Sequence, residues 1–370
     1  MSDHLSKDDV AKLLAEPSAA NRADLAAKVA KQFDASALTA AERRLAEDII
    51  RVMAHDAVIR VRQSLAENLK SNPALPRDVA MTLASDVEAV ALPILQVSQV
   101  LSDEDLVELV RSSRSEAKQT AIAKRESVSA AVADALIDSG SETAVAALVA
   151  NAGADLKEPS LNRVIDKFGA SEAVQGPLVQ RDKLPMTIAE RLVAVVSDKL
   201  QNYLVTHHEL PAKVAADAIL QSRERATVSL LSGENTEESL ERLVAQLSRT
   251  GRLTPSLLLR ALCTGDVAFF EFGIAALSQV PVTNARLLIH DAGRLGLKSI
   301  YEKARMPQAL MPAFRVALDV LHETPYDGEA HDLERHRRRV IERILTQYEE
   351  LAVEDLEYLL GKMGDMIKVD

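Results

Sequence analysis

Cysteine and aromatic residues are scarce in this 370-residue chain, which has one cysteine, no tryptophan, six phenylalanines and five tyrosines. A single cysteine, Cys263, excludes an internal disulfide framework and is typical of proteins in a reducing compartment. Because so few aromatic side chains cannot fill a core of this size, alanine, leucine and valine must do so. That composition favours closely packed helices.

Long hydrophobic runs are also lacking. The longest apolar stretches, such as residues 90–97, are much shorter than the roughly 20 residues that a membrane-spanning helix needs. The first ten residues lack the basic start and apolar segment of a secretory signal. These absences predict a soluble, cytoplasmic protein without a membrane span. The formal net charge of −11 disfavours binding to nucleic acids or anionic lipids.

Sequence motifs of catalysis are missing as well. No Gly-x-Ser-x-Gly, Walker-type or Gly-x-Gly-x-x-Gly sequence occurs. The adjacent His207 and His208 would point about 100° apart on a helix, which is unsuited to binding one metal ion. Cys263 lies in an apolar helical stretch and is interpreted as a packing residue. The sequence therefore predicts no enzyme activity, no catalytic residue, no metal site and no cofactor.

A repeated helical pattern is what the chain does contain. The motif Leu-Pro-x-x-(Val/Ile) occurs at residues 75–79, 184–188 and 210–214, and each copy marks a helix start because proline is tolerated in the first helical turn. Alignment on these motifs gives two apolar columns that recur about every 26 to 30 residues, with one longer step. The first column is Leu65, Leu95, Ile122, Val149, Val179, Val205, Leu231 and Ile274; the second is Val79, Leu106, Val132, Leu161, Ile188, Val214, Leu240 and Ala285.

Such short helix pairs bury their apolar stripes by stacking on one another, so the pattern predicts an all-α fold: an α-solenoid of HEAT/armadillo-like helical hairpins with C-terminal helices. A further apolar position follows each member of the second column by four residues, for example Leu83 or Ala218. No alternating strand pattern is present. Capping boxes are predicted at Thr39…Glu42, Ser85…Glu88, Ser113…Glu116 and Asn235…Glu238, and left-handed C-caps at Gly140, Gly169 and Gly233.

Changes in spacing and composition predict four segments. Residues 1–55 form an N-terminal helical cap and residues 56–247 a helical-hairpin repeat array. Residues 248–322 continue the array irregularly, because the longer step from Leu231 to Ile274 leaves room for an extra helix. A turn-like stretch with Pro325 and Gly328 then leads into charge-segregated C-terminal helices at residues 323–370.

Two stretches resemble a known family. Residues 61–62 read VR, residues 65–68 read LAEN and residues 75–76 read LP, whereas a later stretch reads LLLRAL at residues 257–262 and FFE at residues 269–271. The repeat pattern resembles HEAT-like helical-repeat proteins. These motifs resemble more narrowly an uncharacterised, mainly alphaproteobacterial family known only as a domain of unknown function. From about residue 40 to about residue 312, the resemblance implies an α-solenoid and brings no established activity.

The longer step of the repeat contains the first candidate binding residues. Arg249 and Arg252 lie in a basic loop, and interruptions of a repeat array often carry binding loops, although solvated arginines in a three-helix repeat are the alternative. Phe269 and Phe270 follow. Because consecutive helical residues point about 100° apart, one could pack inward while the other lines a groove, although core packing of both is the favoured interpretation.

A cluster of arginines near the C-terminus gives the second set, which is Arg335, Arg338, Arg339 and Arg343. Three of them recur every four residues along one helical stripe and could bind phosphate or carboxylate groups in a bidentate manner. The acidic residues that follow at 349–357 offer the alternative, a helical hairpin in which acidic and basic faces pair.

Three functions are compatible with these features. The first, and the one that the sequence favours, is a non-enzymatic scaffold or regulatory adaptor that binds another protein. The second is a sensor that binds an anionic ligand, such as a nucleotide, through the arginine stripe. The third is a HEAT-like nucleic-acid enzyme, which needs a basic track and surfaces that hold an unstacked base. The acidic, aromatic-poor composition disfavours this third function.

Overall fold

The computed structural model describes residues 18–33, 39–181, 184–207, 211–231, 235–291 and 295–323, together with residues 339, 342 and 343. These residues contain nineteen α-helices and no β-strand, so the fold is all-α as predicted. One isolated parallel bridge joins Val128 and Ala154. The chain divides into two compact units, Met1–Leu184 and Pro185–Asp370. This division falls inside the segment 56–247 that the sequence predicts as one array.

Short helices make up the described part of the first unit. They are α1 (Ala19–Phe33), α2 (Ala40–Ala54), α3 (Ile59–Leu69), α4 (Arg77–Ser85), α5 (Glu88–Val97), α6 (Asp103–Ser112), α7 (Glu116–Ala123), α8 (Ala130–Ser139), α9 (Glu142–Ala150), α10 (Glu158–Phe168) and α11 (Glu172–Val179). Each helix packs on the helix two places before it, so the odd-numbered helices form one row and the even-numbered helices form another.

The core of the first unit lies where the helices of the two rows face one another. The predicted apolar positions in α3 to α10 are buried, namely Leu65, Leu95, Ile122 and Val149 in the first column and Val79, Leu106, Val132 and Leu161 in the second. These eight predictions are confirmed. The next position, Val179, is exposed, and its neighbour Leu178 is buried instead. The predicted register is therefore lost at the end of this unit.

Side chains that follow the odd-numbered helices join that row together. Arg125, Asn151 and Arg181 follow α7, α9 and α11, and they donate hydrogen bonds to carbonyls at or just after the C-terminal ends of α5, α7 and α9, at 2.6 to 3.2 Å. The last carbonyls of a helix lack intrahelical partners, and these side chains supply them. Burial lowers the pKa of the Arg125 and Arg181 guanidinium groups.

Arginine–aspartate bridges link helices of the even-numbered row. Arg51 of α2 pairs with Asp78 of α4 at 2.8 Å, and Arg77 of α4 pairs with Asp105 of α6 at 2.7 Å. The hydrogen bond from each arginine lowers the pKa of its aspartate below 3.8. The stability that these pairs contribute is therefore present at neutral pH and is lost when the pH falls through the lowered pKa values.

The predicted capping signals have mixed outcomes. The capping box of Thr39 and Glu42 is confirmed. The other three are wrong: Ser115 caps α7, Thr236 caps the helix that begins at Glu237, and α5 begins after Val87 without a side-chain cap. In two of these cases a serine or threonine one or two residues after the predicted residue makes the bond, because the cap must stand directly before the first helical residue.

The glycine C-caps differ from the prediction in conformation. Gly140 and Gly169 end α8 and α10 with φ angles of −76° and −60°, so neither is left-handed. Glycine suits these positions for a different reason. A Cβ atom there would lie 2.3 Å from the Leu136 carbonyl oxygen or 2.4 Å from the Ile165 carbonyl oxygen. Gly233 lies outside the described residues.

Longer helices open the second unit. Within the described residues its helices are α12 (Met186–His207), α13 (Ala212–Leu231), α14 (Glu237–Arg249), α15 (Pro255–Cys263), α16 (Val267–Ser278), α17 (Val282–Ile289), α18 (Leu295–Lys303) and α19 (Met311–Glu323), with a 3-10 turn at Gln308–Leu310. In the described part of the chain, no single helix is long and apolar enough to span a membrane; α16 and α17, bent by 112°, meet the criteria only as a pair.

The repeat prediction is wrong across α12 and α13. Ile188 and Val205, which were assigned to separate helices, lie on one helix, and Val214 and Leu231 lie on the next. Val214 and Ala218 are exposed, whereas Ala215 and Ile219 are buried. The true register is therefore one residue later than the predicted one. The repeat therefore becomes irregular at α12, before the step from Leu231 to Ile274 at which the sequence predicts the change.

An aromatic cluster forms the core of the second unit. Phe270 and Phe314 stack with ring centroids 5.4 Å apart, and Tyr301 meets Phe314 edge-on at 5.5 Å. The Tyr301 hydroxyl donates a hydrogen bond of 2.6 Å to the Pro307 carbonyl oxygen. Cys263 is fully buried in the same cluster, in agreement with its interpretation as a packing residue.

Replacing Asp266 by asparagine is expected to raise the free energy of unfolding at pH 7.5 and to change it little at pH 4. Burial raises the pKa of the Asp266 carboxyl from 3.8 to about 6, against an opposing hydrogen bond from Thr264. The folded state thus binds this proton more tightly than the unfolded chain, so stability falls as the pH rises from about 4 to about 6. Asparagine avoids this penalty, which is on the order of 2–3 kcal/mol.

Urea unfolding of the variant and the parent at both pH values measures this difference. Asp217→Asn, at an exposed position of α13, is the matched control and is expected to change little at either pH. A gain of equal size at pH 4 and pH 7.5 for Asp266→Asn would contradict the assignment of the penalty to an ionised, buried carboxyl group.

Candidate interaction surface

The candidate interaction surface of the second unit lies on the hairpin of α12 and α13. These helices of 22 and 20 residues pack against each other, and they are about 33 and 30 Å long at 1.5 Å per residue. α14 packs on α12, and α15 packs on α13. Both supporting helices are much shorter, so part of each hairpin helix extends past its support.

A buried carboxylate holds the first turns of α12. Glu190 is fully buried, and its carboxylate accepts a hydrogen bond of 2.8 Å from Gln246 Nε2 of α14. Gln246 Nε2 is also 3.0 Å from the Thr187 carbonyl oxygen. Arg252 Nη1 lies 2.7 Å from Glu190 Oε1 and neutralises its charge. A buried carboxylate needs such partners because its desolvation is costly.

A second buried carboxylate holds the middle of α13. Glu224 Oε1 accepts hydrogen bonds of 2.5 Å from the hydroxyl groups of Thr254 and Ser256, and Glu224 Oε2 accepts one of 3.0 Å from Arg260 Nε. These partners lie in or directly before α15. Each helix of the hairpin is therefore fixed by its own charged and hydrogen-bonded cluster, and an ion pair of 2.5 Å between Arg223 and Asp198 joins the two helices.

Apolar side chains face solvent beyond these anchors. Val196, Leu200 and Tyr203 of α12 are 47%, 48% and 51% exposed. Their spacing of four and three residues places them on one face of the helix, and we call them the apolar stripe. Val214, in the first turn of α13, is 55% exposed as well. Adjacent positions of α12 carry Asp198, Lys199 and Asn202, which are exposed, so the apolar stripe has a polar border.

Side chains of this composition can bind another protein. Single exposed apolar residues are ordinary on protein surfaces, whereas a contiguous apolar patch with a polar rim marks an interaction site. Tyrosine is also enriched at protein interfaces. The sequence did not single out the apolar stripe, because its spacing equals that of a buried helix face; a second stripe on α12, Ile188 and Leu192, is the buried one.

The two arginines that the sequence places in the basic loop differ in burial. Arg252 is the half-buried partner of Glu190, and burial lowers the pKa of its guanidinium group. Arg249, at the end of α14, is exposed. Phe269 and Phe270 are both fully buried in the core of the second unit. Core packing of both rings is therefore confirmed, and neither ring lines a groove.

The C-terminal arginine stripe is only partly within the described residues. Arg339 is helical and exposed, and Arg343 pairs with Glu323 at the end of α19, with Arg343 Nη1 2.5 Å from Glu323 Oε2. Arg335 and Arg338 lie outside the described residues. The Arg343 pair is of the kind that the alternative of internally paired charges predicts, although its acidic partner comes from α19 and not from residues 349–357.

Comparison with known proteins places the chain beside an uncharacterised family. A family model described as an uncharacterised protein conserved in bacteria (DUF2336) matches residues 90–354, which is more than half of the chain. No curated protein and no solved structure matches it. The predicted resemblance to an uncharacterised bacterial family is thereby confirmed.

Proposed function

We propose that this chain, which belongs to the uncharacterised bacterial family DUF2336, is a non-enzymatic scaffold or regulatory adaptor that binds another protein through the apolar stripe of α12. The observation that carries the proposal is the exposure of Val196, Leu200 and Tyr203 on one face of a rigidly anchored helix. The partner that fits this surface is an amphipathic helix.

The geometry of the apolar stripe supports a helical partner. From Val196 to Tyr203 the stripe runs about 10 Å along α12 at 1.5 Å per residue. A helix packed on it at an interaxial distance of about 8–10 Å would place its own apolar residues between these three side chains. The polar residues that border the stripe would then meet the polar edges of the partner helix, as at other interfaces with an apolar centre and a polar rim.

Anchoring of the hairpin also favours binding. The clusters around Glu190 and Glu224 fix α12 and α13 before any partner arrives. A preorganised surface loses less conformational entropy on association, so a small apolar area gives more net affinity.

For the architecture we propose a HEAT-like α-solenoid in the first unit. Support comes from its two rows, in which each helix packs on the helix two places before it. Stacked pairs of this kind bury apolar faces that a single pair leaves exposed. The hydrogen bonds from Arg125, Asn151 and Arg181 repeat the same link along one row, which fits a stacked array.

A photo-crosslinking amino acid at position 200 tests the binding surface in bacteria that produce the protein. We expect one discrete adduct from position 200, identified by mass spectrometry, and none from Ser229, an exposed position near the other end of α13. Crosslinking from position 196 should be lost when Leu200 and Tyr203 are both replaced by aspartate. The replacements should change the free energy of unfolding by no more than about 0.5 kcal/mol per site, because both side chains are exposed.

Absence of a discrete adduct at position 200, or an adduct that survives both aspartate replacements, would refute binding through this surface. Adducts of equal yield at positions 200 and 229 would show that capture is unspecific. Unfolding of the aspartate variant would also abolish crosslinking. The circular dichroism spectrum and the unfolding curve of the same preparation exclude this cause if both match those of the parent.

A further inference from the structure

Two histidines from distant parts of the chain meet in the second unit. His290 ends α17 as its C-cap, and His322 lies in the last turn of α19. The distance from His290 Nδ1 to His322 Nε2 is 3.1 Å. His322 is exposed and the His290 side chain is 37% exposed, so solvent reaches the space beside both rings.

A carboxylate fixes the first of these rings. His290 Nε2 lies 2.7 Å from Glu271 Oε1, and Glu271 Oε2 accepts a hydrogen bond of 2.7 Å from Arg286 Nε. Glu271 is buried. Because both of its oxygens are acceptors, His290 carries its proton on Nε2 and presents the lone pair of Nδ1 towards His322. This is the arrangement in which a carboxylate orients a metal-binding imidazole.

We propose that His290 Nδ1 and His322 Nε2 bind one Zn²⁺ ion at the surface of the second unit. With Zn–N bonds of about 2.1 Å, two nitrogens 3.1 Å apart subtend an angle of about 95° at the ion. That angle lies near the values of octahedral and tetrahedral coordination. His322 has only to carry its proton on Nδ1 for both lone pairs to face the ion.

Water fills the remaining coordination positions in this proposal. Among the described residues no group of three or more histidine, cysteine, aspartate or glutamate side chains could hold a metal ion, so the site is open and has two protein ligands. Neutral imidazole prefers Zn²⁺, Cu²⁺ and Ni²⁺ over Mg²⁺ or Ca²⁺. The sequence predicts no metal site. Metal ligands on helices are recognised by short spacings in the sequence, whereas these two histidines are 32 residues apart.

An ion bound here would join the C-terminal ends of α17 and α19. Because the two histidines come together only in the folded state, Zn²⁺ would bind that state in preference and raise the melting temperature, roughly with the logarithm of the Zn²⁺ concentration above its Kd. The simpler alternative is a hydrogen bond from His322 Nε2–H to His290 Nδ1, which needs no metal ion.

Titration of the untagged, full-length protein with ZnCl₂ distinguishes these cases. Isothermal calorimetry of the parent protein should show a site that His290→Ala and His322→Ala remove, and the melting temperature should rise with Zn²⁺ in the parent alone. His55→Ala, which removes an exposed histidine of the first unit, should retain the site. MgCl₂ should have no effect.

Glu271→Gln tests the orienting role of the carboxylate. Both histidines remain, but the weaker orientation should reduce Zn²⁺ affinity by about 10- to 100-fold. Electron paramagnetic resonance of the Cu²⁺-loaded parent should show two nitrogen donors, and His322→Gln should lose one of them.

Three results would overturn the proposal. They are a parent protein that binds no Zn²⁺, a His322→Ala variant that binds as tightly as the parent, and a Cu²⁺ spectrum with fewer than two nitrogen donors. Any of these results would mean that the two histidines form a hydrogen bond and do not bind a metal ion. Circular dichroism of each variant confirms that it is folded before the titration.

Discussion

Replacing Arg260 by methionine is expected to lower the free energy of unfolding by about 3–5 kcal/mol, because it removes one member of a buried ion pair. Arg260 Nε lies 3.0 Å from Glu224 Oε2, and the two side chains are only 4% and 5% exposed. Without the guanidinium group, the Glu224 carboxylate keeps the hydroxyl donors of Thr254 and Ser256 but loses its compensating charge. Urea unfolding followed by far-ultraviolet circular dichroism measures the loss.

A double variant separates the charge from the packing. Glu224→Gln combined with Arg260→Met removes both charges, so it should recover a large part of the stability that Arg260→Met loses. Arg242→Met is the matched control, since Arg242 pairs with Glu238 while the two side chains are 53% and 77% exposed. That pair should contribute less than about 1 kcal/mol. Equal losses for Arg260→Met and Arg242→Met would contradict the role of burial.

Anchoring by Glu224 also links stability to the proposed interaction surface. If the cluster around Glu224 fixes α13, Arg260→Met should increase amide hydrogen exchange in that helix before global unfolding occurs. The apolar stripe lies on α12, which has its own anchor at Glu190. Changes in partner crosslinking from position 200 would then report how far the two anchors act together.

The fold class was predictable because helical periodicity is local. In α3 to α10 each helix is 8 to 11 residues long, and all of them except α3 and α5 begin at a serine cap or beside a proline. Short helices of similar length keep a constant phase between repeats. Apolar residues chosen at one spacing, such as Leu65 and Leu95, therefore all face the core.

Prediction failed where that phase changes. α12 carries two apolar stripes, and periodicity cannot distinguish Ile188 with Leu192, which are buried, from Val196 with Leu200, which are exposed. In α13 the stretch of residues 214–220 is apolar or small at nearly every position. Sequence alone could therefore not choose between Val214 and Ala215 as the residue that packs inward. The choice depends on the neighbouring helices, which is tertiary information.

The roles of the charged residues were hidden for a related reason. Arg252 stands in a basic loop and reads as a ligand-binding residue, but its partner Glu190 comes from a helix much earlier in the chain. His290 likewise has Glu271 and His322 as neighbours only after folding. Side-chain pairs of this kind depend on long-range contacts, and no local pattern in a single sequence indicates them.

Aromatic packing of the second unit gives the other large expected effect, and Phe314→Ala tests it. The Phe314 side chain is fully buried, stacked on Phe270 at 5.4 Å and in edge contact with Tyr301 at 5.5 Å. Its truncation leaves a cavity that the surrounding side chains only partly fill, so the free energy of unfolding should fall by about 3–5 kcal/mol. Urea unfolding measured by circular dichroism checks the value.

Tyr203→Ala provides the control for loss of an aromatic ring at an exposed position. Tyr203 is 51% exposed on the apolar stripe, so its removal should cost no more than about 0.5 kcal/mol. A small loss for Phe314→Ala would mean that the neighbouring rings collapse into the cavity, and the near-ultraviolet signal of Tyr301 would then shift in the folded variant. A large loss for Tyr203→Ala would contradict the exposure of this side chain, on which the proposed binding surface depends.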